Sequence, residues 1–155
     1  MTADRHILIG LAAGGSALVL VLAFGFQHLG GMAPCPLCLW QRWPHALAVA
    51  IGAAALLLSW RALPLLGMLA ALSTAAIGFY HTGVERHWWE GPATCSAGSV
   101  AGQSPEDLMA QIMAAPLVRC DEVPWEMLGL SMASWNAVLA IGLAGLWWRA
   151  ARAPD

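Results

Sequence analysis

From Ile7 to Phe26 the chain runs without a single charged residue. A helix over this stretch, rising 1.5 Å per residue, is about 30 Å long and matches the hydrocarbon thickness of a bilayer. The apolar part of a cleaved signal peptide is shorter, about 7–15 residues, and no clean small-residue cleavage pattern follows. The run therefore predicts a retained first membrane span. Its Gly10-x-x-x-Gly14 step, with Ser16 nearby, predicts close packing against another helix.

Three further apolar runs follow. The second extends from about Leu39 to Trp60, its start interrupted by Gln41, Arg42, Pro44 and His45. Arg61 and Pro64 mark a tight turn, because proline breaks or kinks a helix. The third, Leu65 to Tyr80, is short for a span, and the fourth is Trp135 to Trp148 with Leu128 to Met132 leading into it. Tryptophans gather where the runs end: Trp40, Trp43, Trp60, Trp88, Trp89, Trp125, Trp135, Trp147 and Trp148. Indoles favour the headgroup level, so this distribution predicts an aromatic belt.

A composition of 59% apolar and 10% charged residues, with no lysine, agrees. The expected architecture is an all-α membrane protein, a four-transmembrane-helix bundle forming a single domain over 1–155. Its spans fall near 7–26, 39–60, 64–80 and 131–148, with loops at 27–38 and 81–130. A net charge of −2 gives no reason to expect nucleic acid as a partner.

Four spans place both termini on one side and both loops on the other. Cys35, Cys38, Cys95 and Cys120 all lie in those loops, so they share one face. Arg5, Arg61, Arg149 and Arg152 oppose Arg42, Arg86 and Arg119, a bias that puts the cysteine face outside. Paired cysteines persist best in an oxidising compartment such as the periplasm. In the long loop, Ser104-Pro105-Glu106-Asp107 reads as a helix start. Leu108, Met109, Ile112 and Met113 then recur at helical spacing before Pro116. This short amphipathic helix lies on the membrane, covers the cysteines or packs down on the spans. Glu85, Glu90, Glu106, Asp107, Asp121, Glu122 and Glu126 read as a solvated acidic face.

Cys35-Pro36-Leu37-Cys38 is a C-x-x-C, a spacing open to a redox dithiol, a zinc half-site or a structural bridge. A thiol attacks as its thiolate, which nearby cations and helix N-termini favour. Arg42 follows Cys38 by four residues, on the same face if the helix has begun there. It would stabilise a Cys38 thiolate or a reduced anionic acceptor, or else snorkel to the interface. A C-x-x-C loop is small and gains little from closure, which favours reactivity over bracing. Cys95 and Cys120 enclose a longer loop and, alone, look structural. Zinc on all four would need reduced thiolates on an exported face, and the second C-x-x-C of a zinc ribbon is missing.

These residues resemble the disulfide bond formation protein B (DsbB) family over essentially the whole chain. The resemblance rests on Pro34-Cys35-Pro36-Leu37-Cys38-Leu39-Trp40-Gln41-Arg42, and on Tyr80-His81-x-Gly83-Val84-Glu85 running into Trp88-Trp89-Glu90-Gly91-Pro92 before Cys95. It continues through Cys120-Asp121-Glu122, Trp125, Leu128-Gly129-Leu130-Ser131-Met132 and Trp135-Asn136. It implies a thiol oxidase of the bacterial inner membrane, with cytoplasmic termini and periplasmic cysteine loops. Cys95 would meet a DsbA-like periplasmic thiol oxidase, and Cys120 would be its pair. Cys35 would exchange with that pair, and Cys38 would meet a quinone, ubiquinone or menaquinone. Arg42 and His81 match the family's quinone-proximal arginine and histidine. A vitamin K epoxide reductase-like enzyme is an alternative, but its C-x-x-C lies at the last span. The other is a membrane scaffold with two structural disulfides.

Overall fold

A computed structural model describes residues 3–58, 60–92, 95, 104–114 and 118–153. Four long helices dominate it: α1 (Ala3–His28), α2 (Pro36–Leu57), α3 (Leu63–Glu85) and, after the short α4 (Pro105–Ala114), α5 (Met132–Arg152). Strands β1 (Glu126–Met127) and β2 (Leu130–Ser131) form an antiparallel hairpin immediately before α5. The helix starts follow from local chemistry. Cys35 caps α2, its sulfur accepting from the Cys38 N–H, with Pro36 opening the first turn. Ser131 caps α5 by accepting from the Ser134 N–H, and Ser104 does the same for α4 from the Asp107 N–H.

The long helices close a ring in which α1 packs on α2 and α5, and α3 packs on the same two. Their inner faces are built from small residues, among them Ala12, Ala48, Ala71, Ala140 and Ala144. Large apolar side chains point outward, as at Leu18, Val21, Leu57, Leu69 and Ile141. That is the inverse of a water-soluble bundle and suits an apolar surround. Asp4–His28 and Leu63–Glu85 are each long and apolar enough to cross a membrane. In α2 and α5 the apolar character is diluted by Gln41, Arg42, His45 and Asn136, which line one cavity, and by Ser134, which meets Thr82 of α3.

Several sequence expectations are corrected. Gly10 and Gly14 are exposed, and a Cβ added at either meets nothing within 4 Å. The packing face of α1 is instead Arg5, Ile9, Ala12 and Ser16, all buried. Close approach is made at Gly67, where a Cβ would stand 2.6 Å from the Trp147 ring. Trp147 is fully buried and so belongs to the core, not to an aromatic belt; Trp148 beside it is exposed and lies under the Arg152 guanidinium. Leu128 to Met132 does lead into α5, with Met132 its first residue and the preceding residues forming a turn and a strand. Leu128 and Gly129 both take positive φ, 55° and 77°, and turn the chain into the hairpin.

The helices also begin and end differently. Helix α2 starts at Pro36 and continues through Pro44, while α3 runs on to Glu85, which shortens the long loop at its start. Of the amphipathic positions in α4, Met109 and Met113 are exposed and Leu108 is half-buried. The Ile112 side chain and Pro116 lie outside the described residues.

Candidate functional site

The first turn of α2 carries Cys35 and Cys38 with their sulfurs 2.8 Å apart, both as free thiols. Cys95 and Cys120 are joined as a disulfide, and the Cys120 N–H donates to the Cys95 carbonyl at 2.8 Å. The two pairs are not separate. Cys35, Leu37, Val84, Cys95 and Cys120 form one buried cluster, with Cys38 and Val118 packed against it. The C-x-x-C at a helix start and the loop disulfide therefore meet in the same water-poor space. Within it, the hydrogen bond to Cys38 and burial push the Cys35 thiol up.

His81, near the end of α3, is 3% exposed and stands between the pairs. Its Nε2 lies 3.6 Å from Cys35 Sγ, and the Cys120 backbone reaches the same ring. Its Nδ1 is 2.8 Å from Gln41 Nε2. An amide NH2 only donates, so His81 Nδ1 accepts and Nε2 carries the proton that faces the sulfur. The contact continues across the bundle. Asn136 Nδ2 donates to Gln41 Oε1 at 2.8 Å, and His45 Nε2 lies 2.9 Å from Asn136 Oδ1. Thr74 donates to the Gln41 carbonyl at 2.9 Å, which anchors α2 just ahead of Pro44.

A cavity of about 610 Å³ opens beside these groups. Val19, Leu20 and Phe26 of α1 wall one side, and Met132, Trp135 and Leu139 of α5 another. Cys35, Cys38, Gln41, Arg42, His45 and His81 also line it. Largely apolar walls with a few converging polar groups are the usual form of a small-molecule site. Arg42 turns toward α1, donating to Gln27 Oε1 at 2.6 Å with its guanidinium 4.9 Å from the Phe24 ring centroid. Donor atoms of Cys35, Cys38 and His81 all lie within 4.8 Å of one another. Two thiolates on one tetrahedral zinc would stand about 3.8 Å apart, from Zn–S bonds of about 2.3 Å. The observed 2.8 Å is nearer to a sulfur–sulfur bond than to a metal edge.

Reading the sequence missed part of this wall. Glu85, taken there as one of a solvated acidic face, is 6% exposed. It accepts a hydrogen bond from Ser131 and lies 3.9 Å from His81 Nε2. His45 and Asn136 were not singled out either. A legible signal for His45 was its position four residues after Gln41 inside an apolar run, which sets the two on one helix face. Nearer the surface, Arg119 bonds Asp121 through two nitrogens at 2.9 and 2.7 Å and holds that carboxyl below its usual range.

A family model described as disulfide bond formation protein DsbB matches residues 5–150. The chain belongs to the DsbB family. Disulfide bond formation protein B of Methylococcus capsulatus is 34% identical over 147 residues, 88% of this chain and 90% of that one. The protein of the same name from Stutzerimonas stutzeri is 30% identical over 154 residues, 92% and 91% of the two chains. That of Polaromonas naphthalenivorans is 30% identical over 162 residues, 94% and 91%. No solved structure matches. Membership in the DsbB family makes this chain a membrane oxidoreductase of disulfide bond formation.

Proposed function

We propose that this protein is a thiol:quinone oxidoreductase that reoxidises a DsbA-like periplasmic dithiol oxidase and passes two electrons to a membrane quinone. On this reading α1, α2, α3 and α5 each cross the bacterial inner membrane, and the whole chain is one domain. The termini are cytoplasmic and the cysteine loops periplasmic. The observation that carries it is the single buried cluster holding both cysteine pairs, opening at Cys35 and Cys38 onto the cavity between α1 and α5.

The thiol steps balance within the chain. A partner thiolate attacks Cys95, breaking the Cys95–Cys120 bond and forming a mixed disulfide. The partner's second thiol releases it oxidised and leaves Cys95 and Cys120 reduced. With Cys35 and Cys38 themselves in disulfide form, a thiolate from the loop pair attacks Cys35 and displaces Cys38 as the leaving thiolate. Closing the loop disulfide again leaves two thiols at Cys35 and Cys38. His81 Nε2–H, 3.6 Å from Cys35, favours negative charge on that sulfur during exchange.

The cavity suits a quinone ring by its apolar walls and by the few polar residues among its lining, Arg42, Gln41 and His81. Arg42 and His81 would hold the ring near Cys38. When bound, the quinone supplies a sink for two electrons and two protons. The test is quinone reduction by detergent-purified protein given a reduced thioredoxin-like dithiol. Cys38→Ser should abolish it, and an undiminished rate in that variant would overturn the assignment.

A further inference from the structure

Helix α2 has already begun at Pro36, so Cys38 and Arg42 share one of its faces, a turn apart. The Arg42 guanidinium leans across to α1. One terminal nitrogen donates to Gln27 Oε1 at 2.6 Å and the other to the Ala23 carbonyl at 3.5 Å. The group stands 4.9 Å from the Phe24 ring centroid. Ala23 and Arg42 both line the cavity, so the Ala23 contact sets the guanidinium at the cavity edge. Gln27 and Phe24 are not lining residues and hold it from outside.

Everything that holds Arg42 is neutral. Gln27 presents an amide oxygen, Ala23 a peptide oxygen and Phe24 the face of a ring. Among the described residues, no carboxylate forms an ion pair with Arg42. Glu85 and Glu122 line the same cavity, but Glu85 bonds Ser131 and Glu122 lies 3.5 Å from Arg119. A cation near the head of a membrane helix is costly to keep without a counter-ion, so its place one turn from Cys38 points to a use for the charge. A carboxylate at position 27 would satisfy the same nitrogen and cancel that charge. The chain carries the amide of the same shape instead.

Resting on the quinone reading above, we infer that Gln27 is a positioning residue for Arg42, a neutral tether that keeps the guanidinium at the cavity edge with its charge uncancelled while the acceptor is reduced. Cys35 and Cys38 lose two electrons and two protons as their sulfurs join, and the acceptor takes both. The electrons bring negative charge into the cavity, and a fixed cation beside it favours that charge until the protons follow. Coulomb attraction in water-poor surroundings acts over several ångströms, so the guanidinium need not touch the ring. Gln27 acts through Arg42 alone, from a helix that carries no cysteine.

The experiment mixes reduced full-length protein in detergent with a short-chain benzoquinone and follows the fast loss of quinone absorbance. Gln27→Glu keeps the oxygen that Arg42 uses and adds the charge that cancels it, so thermal stability should hold or rise. Quinone reduction should nonetheless slow about tenfold, less than the roughly hundredfold loss from deleting an anion-facing donor, because the cation is offset and not removed. Gln27→Leu removes the tether, keeps the cation and should slow the same step by a smaller factor. The first turnover of a reduced thioredoxin-like dithiol without quinone needs only the Cys95–Cys120 bond and should be unchanged in both variants. An undiminished quinone step in Gln27→Glu overturns the inference and leaves the quinone reading standing. A loss of stability that tracks the loss of rate across both variants also overturns it, since a merely structural contact behaves that way. No quinone reduction by the unaltered chain would instead sink the quinone reading and this inference with it.

Discussion

His81 Nε2 stands 3.6 Å from Cys35 Sγ, and the same ring is reached by the backbone of Cys120. One imidazole therefore touches both cysteine pairs. His81→Phe should slow transfer between the pairs about tenfold, the worth of one hydrogen bond to a charged sulfur. Attack by the partner on Cys95 should be spared. Rapid acid quench with thiol alkylation separates the two steps, and equal slowing of both would remove His81 from the exchange.

The two pairs are expected to act in order. Cys120→Ser leaves Cys95 unable to release its partner, so a mixed disulfide should accumulate on Cys95. Non-reducing gels and mass spectrometry of the linked peptides locate the bond. Finding the partner on Cys35 would reverse the direction of transfer.

Glu85 is 6% exposed and takes its hydrogen bond from Ser131, the residue that also caps α5. Ser131→Ala removes a cap and strands a buried carboxyl, at a cost of about 1–3 kcal/mol. Thermal unfolding in detergent should shift down accordingly. Ser131→Thr keeps the hydroxyl and should recover most of the loss.

Glycines divide sharply. Gly67→Ala would drive a methyl to 2.6 Å from the buried Trp147 ring and should cost about 1–3 kcal/mol through overpacking. Gly10→Ala and Gly14→Ala meet nothing within 4 Å and should be neutral or stabilising by up to about 1 kcal/mol. Chemical denaturation of the three variants in the same detergent compares them directly.

The Arg119–Asp121 pair flanks Cys120 and has a pH signature. Its carboxyl is held below the ordinary value of 3.8, so its contribution is present above that pH and lost as pH falls through the lower folded value. Arg119 is 39% exposed, so solvent screening keeps the effect small. Reduction of the Cys95–Cys120 bond by a phosphine should quicken below about pH 4. Asp121→Asn should flatten that dependence; a slope that persists would assign it elsewhere.

The long helices and the cysteine motif were legible because each rests on local pattern. Apolar runs have a length, and C-x-x-C has a spacing. Pairings between helices have neither. Gly10 and Gly14 carry a packing motif but lie on the exposed face, since Ile9, Ala12 and Ser16 set which side of α1 turns inward. Trp147 and Trp148 look alike in sequence, yet a rotation of about 100° per residue sends one to the core and the other outward. Glu85 reads as a surface charge because Ser131, its partner, is 46 residues away. The hairpin escaped notice because Leu128 takes the positive φ that Asn or Asp more often supplies.

The partners of Gln41 and His45 include Asn136, 95 and 91 residues further along the chain. On the proposed topology, a nascent α2 would enter the bilayer carrying polar groups that the helices made before α5 do not fully occupy. Hydrocarbon offers no substitute for them. If all four long helices cross the membrane as proposed, closure of the bundle would come late, with α1, α2 and α3 waiting, polar side inward, for α5. A chain stopped before α5 would present that unfilled side to the quality-control proteases of the membrane.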